Sequence, residues 1–278
     1  MIFLITGSRG YIGSKLCQRM KEEKIEFVEF DSTIGNDILD VNELSRKSRG
    51  VDAIVHLAGV VGLDRCKKDP DGSYAVNVIG TNNVVLCGKP VIFAGALTGY
   101  SKKGIVDENT PVVAKSEYYT QKVLAENIVL HHFGIVLRLG SLYGTSPNMR
   151  WDLLVHSFVK ESILNERIKL FQPEVMRPIS NINDVCHAIM VFASNHALAE
   201  NLSGVYNVVS ANMKKVNIVK RISKMTGCNV EIVNETDPEN RNYSVSTKKI
   251  RSLDFAFSPD LNKSIKEVMT EAKKDLCR

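Results

Sequence analysis

Long apolar runs are missing from the sequence: none reaches the roughly 18 residues that a membrane-spanning helix needs. The apolar start at residues 1–5 runs straight into glycine with no basic stretch before it, so no secretion signal is expected. Cysteine-pair motifs are absent as well. The six cysteines (Cys17, Cys66, Cys87, Cys186, Cys228 and Cys277) are scattered, with no CxxC. Such scatter reads as reduced cytosolic thiols rather than a disulfide framework. No close grouping of His, Cys and carboxylates has ligand spacing, so no metal is expected. Charge of one sign is also scarce. The 36 Lys and Arg against 31 Asp and Glu leave a net +5, and the dense basic runs are short, such as Lys214-Lys215 and Lys248-Lys249. A nucleic-acid binder shows a clustered basic stripe, and this chain has none.

What is present is ordinary for a folded protein: 44% hydrophobic and 24% charged residues in 278. That balance argues against disorder. At about 150 residues per domain, the length suits one large domain or two lobes. Short β-branched apolar runs recur at 2–6, 27–30, 53–57, 91–94, 135–139 and 205–209. Their unbroken apolar character suits strands buried on both faces. Helical patterns fall between them, at 11–22, 74–86, 118–133 and 185–194. This alternation predicts an α/β fold with a doubly wound parallel sheet. The last third is less regular and carries prolines at 147, 173, 178, 238 and 259. The expected division is a dinucleotide-binding domain from 1–145 and 184–210, and a smaller substrate lobe from 146–183 and 211–278. That lobe is expected over the carboxyl ends of the strands, where ligands of open α/β sheets bind.

The first run leads into Thr6-Gly7-Ser8-Arg9-Gly10-Tyr11-Ile12-Gly13 and then a helix. Gly7 allows the sharp turn, Gly10 lets the backbone approach a pyrophosphate, and Gly13 lets helix pack on strand. The helix start offers N–H groups and partial positive charge to phosphates. Asp31 ends the next strand, 18 residues after Gly13. A carboxylate there accepts from the adenosine ribose hydroxyls and repels a 2′-phosphate, which favours NAD. Arg9 leaves NADP open, because a guanidinium in the loop suits such a phosphate.

A second signal is Tyr118-Tyr119-Thr120-Gln121-Lys122. On a helix, Tyr118 and Lys122 share one face. An ammonium near a phenol favours the phenolate, and a phenol tuned nearer neutrality exchanges protons with a hydroxyl or carbonyl. Other candidates read more plainly. His56 closes a strand, His131 and His132 suit a helix end, Cys66 is a neutral thiol in the loop 60–69, and Trp151 packs in a core or stacks on a base.

Taken together, the glycine loop and the Tyr/Lys pair resemble the extended short-chain dehydrogenase/reductase family, the nucleotide-sugar epimerases and dehydratases. Residues 6–13 look like its TGxxGxxG. Asp37-Ile38 resembles its adenine-contacting acid and neighbour, and His56-Leu57-Ala58-Gly59 its HLA segment beneath the cofactor. Asn77-Val78-Ile79-Gly80-Thr81 resembles its NVxGT helix, Tyr118–Lys122 its YxxxK, and Arg138-Leu139-Gly140-Ser141-Leu142-Tyr143-Gly144 its RxxxxYG. Arg177-Pro178 with Asn183-Asp184-Val185 resembles RPxxxVxDV. The run from Asn148 through Arg150 and Trp151, and Arg241-Asn242-Tyr243, resemble the lobe of one nucleotide-sugar branch.

The resemblance implies a Rossmann domain holding NAD, with NADP as the alternative. It names Gly7, Arg9, Gly10, Tyr11, Ile12, Gly13, Asp31, Asp37, Ile38, Leu57, Ala58, Gly59, Asn77, Tyr118, Lys122 and Leu142 as cofactor contacts. It makes Tyr118 the acid/base at a sugar hydroxyl, usually at C4, and puts Lys122 on the nicotinamide ribose. Arg150, Arg177 and Arg241 become candidates for a nucleoside-diphosphate hexose, since guanidinium forks suit phosphate oxygens. A cytoplasmic homodimer paired through the helices 74–86 and 118–133 is implied too. The family's usual Ser or Thr hydroxyl falls on Ala96, so Thr98 is the expected substitute. Leu97-Thr98 stands where ordinary 4,6-dehydratases place an acidic pair, which disfavours that reaction. A 4-epimerase, a 4-keto-sugar reductase and an epimerase acting beside an existing ketone stay open, as does a non-catalytic dinucleotide sensor. A scaffold role fits poorly with a complete phosphate loop.

Overall fold

The computed structural model describes residues 1–97, 100, 104–194, 202–235, 242–258 and 260–276. The chain divides into two compact units. The first comprises Met1–Gly99, Val112–Arg138 and Cys186–Tyr206, and the second Tyr100–Pro111, Leu139–Val185 and Asn207–Arg278.

The apolar runs become strands where the sequence expects them. They form a six-stranded sheet in the order Gly204–Val208, Ile135–Leu139, Val91–Ala96, Ala53–His56, Ile2–Thr6, Glu26–Phe30. Ile2–Thr6 pairs in parallel with Glu26–Phe30 on one side and Ala53–His56 on the other. The strand order therefore reverses at Ile2–Thr6. That switch point of a doubly wound sheet is where the crevice at the strand carboxyl ends opens. The strands, with Val129 from a covering helix, supply a core that includes Leu4, Phe30, Ile54, Phe93 and Val136.

The expected helix 74–86 is longer and compound. It starts at Pro70, capped by Asp69, whose carboxylate accepts from the Gly72 N–H. It passes through a wider π turn at Ala75–Ile79 and continues as Gly80–Val85. Such turns bulge one residue out of the helix and favour functional positions. Here the bulge carries Asn77. Gly80 lies beneath it, where a Cβ would come within 2.4 Å of the Ile38 Cδ1 atom and would push that side chain aside. The helix Glu117–His131 is capped by Ser116, which accepts from the Tyr119 N–H. Its buried residues include Tyr119, Lys122, Glu126 and Val129, a spacing of three and four that turns one face inward.

The second unit has a three-stranded sheet, Ala211–Lys214 beside Met176–Asn181 beside Ser141–Tyr143. Pro178 lies inside Met176–Asn181, where a missing N–H is normally costly. It is tolerated because Ser141–Tyr143 pairs only from Ile179 onward, so at Pro178 the one paired neighbour is Asn212. Helices Leu154–Leu164, Lys215–Thr226 and Leu261–Leu276 share a core with Tyr143, Phe158, Ile179, Ile218 and Ile265. Among the described residues no helix is long and apolar enough to cross a membrane, and Cys17, Cys66, Cys87, Cys186 and Cys228 are free thiols.

Candidate active site

The glycine loop leaves the sheet at its switch point. Gly7 has φ +69°, and its N–H donates to the Phe30 carbonyl at 2.8 Å. A Cβ on Gly7 would fall 2.6 Å from the Ala58 nitrogen, and one on Gly13 only 2.1 Å from the Gly7 oxygen. Neither position admits a side chain. Gly10 caps the helix Tyr11–Glu22 without a side-chain bond, and the first turn carries no acid. Tyr11 and Gly13 are buried and Ile12 half-buried. The helix start thus keeps its partial positive charge for an anion. Among the described residues the buried Ser8 hydroxyl has no hydrogen-bond partner. A bare glycine cradle with an orphaned hydroxyl fits a diphosphate.

Asp31 follows the second strand. One oxygen accepts from the Arg9 N–H at 3.0 Å, and the other from the Thr33 N–H at 3.0 Å and the Thr33 hydroxyl at 2.8 Å. Asp37 is exposed and accepts from the Leu39 N–H, whereas the Ile38 side chain belongs to the core.

Leu57, Ala58 and Gly59 continue from the strand Ala53–His56 and are half-buried. A hydrogen-bonded chain sets their backbone. The N–H groups of Leu57 and Ala58 donate to the Thr6 hydroxyl at 3.2 and 3.3 Å. That hydroxyl lies 2.8 Å from His56 Nδ1, and His56 Nε2 lies 2.9 Å from the Thr81 hydroxyl. Thr81 donates onward to the Asn77 carbonyl at 2.7 Å. With the Thr81 proton spent there, His56 donates from Nε2 and accepts at Nδ1. The ring is neutral: burial, aided by the Lys122 charge, holds its pKa down to about 3.

Asn77 is committed to protein groups. Its Oδ1 accepts from the Val60 N–H at 2.8 Å, while Nδ2 donates to the Val60 carbonyl at 2.9 Å and to Gln121 Oε1 at 2.8 Å. The Asn77 side chain therefore holds the loop after Gly59 in place. The Cys66 thiol, pushed up by burial, is 3.6 Å from the Val60 carbonyl.

Tyr118 is half-buried in the first turn of Glu117–His131, its ring 5.4 Å from that of Tyr119. Lys122, one turn on, is buried. Its ammonium donates to the Ala94 carbonyl at 2.7 Å and sits 4.1 Å over the Phe93 ring. Burial lowers its pKa to about 8, against the raising effect of Glu126. An ammonium has three donors. Two of these have no acceptor among the described residues, which fits ribose hydroxyls. Thr98 lies outside the described residues.

In the second unit, Leu142 pairs with Ser180. The Arg150 guanidinium forks onto Asp152, its Nε 3.0 Å from Oδ1. Arg177 is buried in Met176–Asn181 and pairs in register with Met213. Arg241 lies outside the described residues.

Sequence reasoning missed four residues here. Gln121 binds Asn77, Ser73 and the Pro70 carbonyl. Glu126 forms a buried two-pronged pair with Arg138, at 3.1 and 2.5 Å. His156 accepts from the Gly144 N–H at 3.1 Å and donates from Nδ1 to the Arg150 carbonyl at 2.8 Å, which anchors the segment carrying Arg150. Glu29 pairs with Arg9. Glu126 and His156 are polar residues in apolar stretches, a signal that marks a buried partner without naming it.

Comparison with known proteins agrees with the motifs. The model of the NAD dependent epimerase/dehydratase family matches residues 3–209. An uncharacterised UDP-glucose epimerase of Bacillus subtilis strain 168, YtcB, is 26% identical over 80% of this chain and 82% of its own length. A putative UDP-glucose 4-epimerase of Methanocaldococcus jannaschii is 24% identical over 98% of both chains. Among solved structures, MoeE5 in complex with UDP-glucose and NAD superposes with a TM-score of 0.86 at 19% identity, covering 99% of this chain and 100% of that one. Identity that low speaks to fold, and the fold is the doubly wound one expected.

Proposed function

Since the chain belongs to the NAD-dependent epimerase/dehydratase family, we propose that it is an NAD-dependent nucleotide-sugar 4-epimerase. One observation carries this reading. Among the described residues the buried Lys122 finds an acceptor for only one of its three donors, one helical turn from Tyr118, in the unit that also holds the glycine cradle. In this reading Gly7, Gly10 and Gly13 hold the cofactor diphosphate, and Asp31 the adenosine ribose. Lys122 binds the nicotinamide ribose. Bound NAD supplies the hydride acceptor for C4 of the hexose.

Tyr118 would take the proton of the C4 hydroxyl during oxidation at C4 and give it back during the reduction that completes the epimerisation, with the bound cofactor supplying the redox chemistry. Lys122, still mostly charged at neutral pH, favours the phenolate that this requires. UDP-hexose is the first substrate to test, because the relatives named above are UDP-glucose epimerases by name. Arg150 and Arg177 are carried forward as candidates for its diphosphate. The exposed apolar side chains Tyr74, Ile79 and Leu124, on the helices named for pairing, support a homodimer. A cytoplasmic location suits the free thiols.

A second reading follows from Ala96, which offers no hydroxyl to share the proton of the reacting oxygen. An enzyme handling a sugar that already bears a ketone, by reduction or by epimerisation beside it, depends less on that hydroxyl. The test is incubation with UDP-glucose and NAD. Formation of UDP-galactose by wild type and not by Tyr118→Phe supports 4-epimerisation. Turnover confined to 4-keto sugars supports the second reading.

A further inference from the structure

Glycine loop and Asp31 fix where an adenosine ribose would lie, yet Arg9 stands beside it with the charge that a 2′-phosphate requires. Its own N–H donates to Asp31 Oδ2 at 3.0 Å, so the Arg9 backbone adjoins the carboxylate. Its side chain goes elsewhere. The Arg9 Nε lies 2.7 Å from Glu29 Oε2, and Lys21 approaches the other Glu29 oxygen at 3.5 Å. Glu29 is the better-buried partner, with 21% side-chain exposure against 53% for Arg9. The thiol of Cys17 also registers Glu29: after burial, that carboxylate is the main cause of its rise to about 12. Glu29 and Asp31 are two residues apart in extended chain, so both project to one side.

We propose that Glu29 is a specificity-determining residue: it holds the Arg9 guanidinium away from a 2′-phosphate and so makes the chain select NAD over NADP. The inference rests on the reading of residues 6–13 and Asp31 as the dinucleotide site. A 2′-phosphate brings close to two negative charges against Asp31. It binds only if a cation offsets them. Arg9 is the cation whose backbone adjoins Asp31. Recruiting it would break a 2.7 Å pair and leave Glu29 facing Lys21 alone at 3.5 Å. It would also set a third anionic group beside the first two. Asp31 thus repels the phosphate, and Glu29 withholds the compensation.

The test is calorimetric titration with NAD and with NADP at low salt, using wild type, Glu29→Gln, Glu29→Ala, Arg9→Gln and the Arg9→Gln/Glu29→Gln double variant. Thermal midpoints report folding. Wild type binds NAD more tightly. Both Glu29 variants tighten NADP about two- to five-fold, the scale of one exposed ion pair, and change NAD less than two-fold. The gain vanishes in the double variant and shrinks in high salt. Unchanged NADP affinity in both Glu29 variants overturns the inference. So does a gain that survives without Arg9, since Glu29 would then act by its own charge. Wild type that binds neither dinucleotide overturns the site reading itself, a separate failure.

Discussion

Asn77 and Gln121 meet inside the first unit, the Asn77 amide donating to the Gln121 carbonyl oxygen at 2.8 Å. The contact joins the π turn to the helix that carries Tyr118 and Lys122. Gln121 extends it, donating to the Ser73 hydroxyl at 2.9 Å and the Pro70 carbonyl at 3.3 Å. One buried amide therefore ties the start of one helix to the turn of another that carries Tyr118 and Lys122. Gln121→Leu strands the Asn77 donor and is expected to cost about 1–3 kcal/mol. The urea midpoint measures it, and an unchanged midpoint would mean that water replaces Gln121 without loss.

Tyr118→Phe removes the hydroxyl of the proposed acid/base and keeps the ring. Turnover is expected to fall about 10²- to 10⁴-fold, the usual worth of such a group. NAD affinity is expected to change far less than turnover, because Lys122 and the glycine loop carry most of the cofactor's contacts in this reading. Lys122→Met is expected to weaken both, and comparing Kd with kcat across the two variants separates the roles.

Lys122 also leaves a mark on stability. Its folded pKa of about 8 lies below the ordinary 10.5, because burial disfavours the ammonium. The burial penalty is complete below pH 8. Between about 8 and 10.5 the native state sheds a proton that the unfolded chain still holds, so stability of the cofactor-free protein rises with pH. The full difference is about 3 kcal/mol. Lys122→Met is expected to stabilise the protein at pH 7 and to flatten that alkaline rise, both read from urea unfolding. An unflattened rise would mean that Lys122 does not titrate there.

His56 acts at the other end of the scale. Its folded pKa is about 3 against an ordinary 6.5. As pH falls through that window the unfolded chain takes a proton that the buried ring refuses, so stability is lost on acidification. The loss approaches about 5 kcal/mol when complete. His56→Gln is expected to lower stability at pH 7, since it breaks the chain from Thr6 to Thr81, and to make acid unfolding less steep. Acid unfolding with an unaltered slope would contradict the neutral, buried ring.

The sheet and the glycine loop were legible because each rests on a local rule. Parallel strands buried on both faces read as continuous apolar runs, and Gly7 and Gly13 stand where no Cβ fits. Helix Glu117–His131 announced its register through Tyr118 and Lys122. The π turn did not show, since nothing at Ala75–Ile79 breaks the helical period. Within it Asn77 pairs with Val60 and Gln121, contacts distant in sequence that the local pattern does not display. Pro178 suggested irregular chain and sits in a strand, tolerated by an offset in pairing that only the register reveals. The same holds for Glu29, a charge on an edge strand until Arg9 is seen against it.

The most direct measurement is mass spectrometry of what the purified protein releases on denaturation, with NAD added beforehand to a parallel sample. The account predicts one NAD per chain, since an epimerase takes hydride and returns it within a single turnover. A protein that releases no dinucleotide from either sample would contradict it.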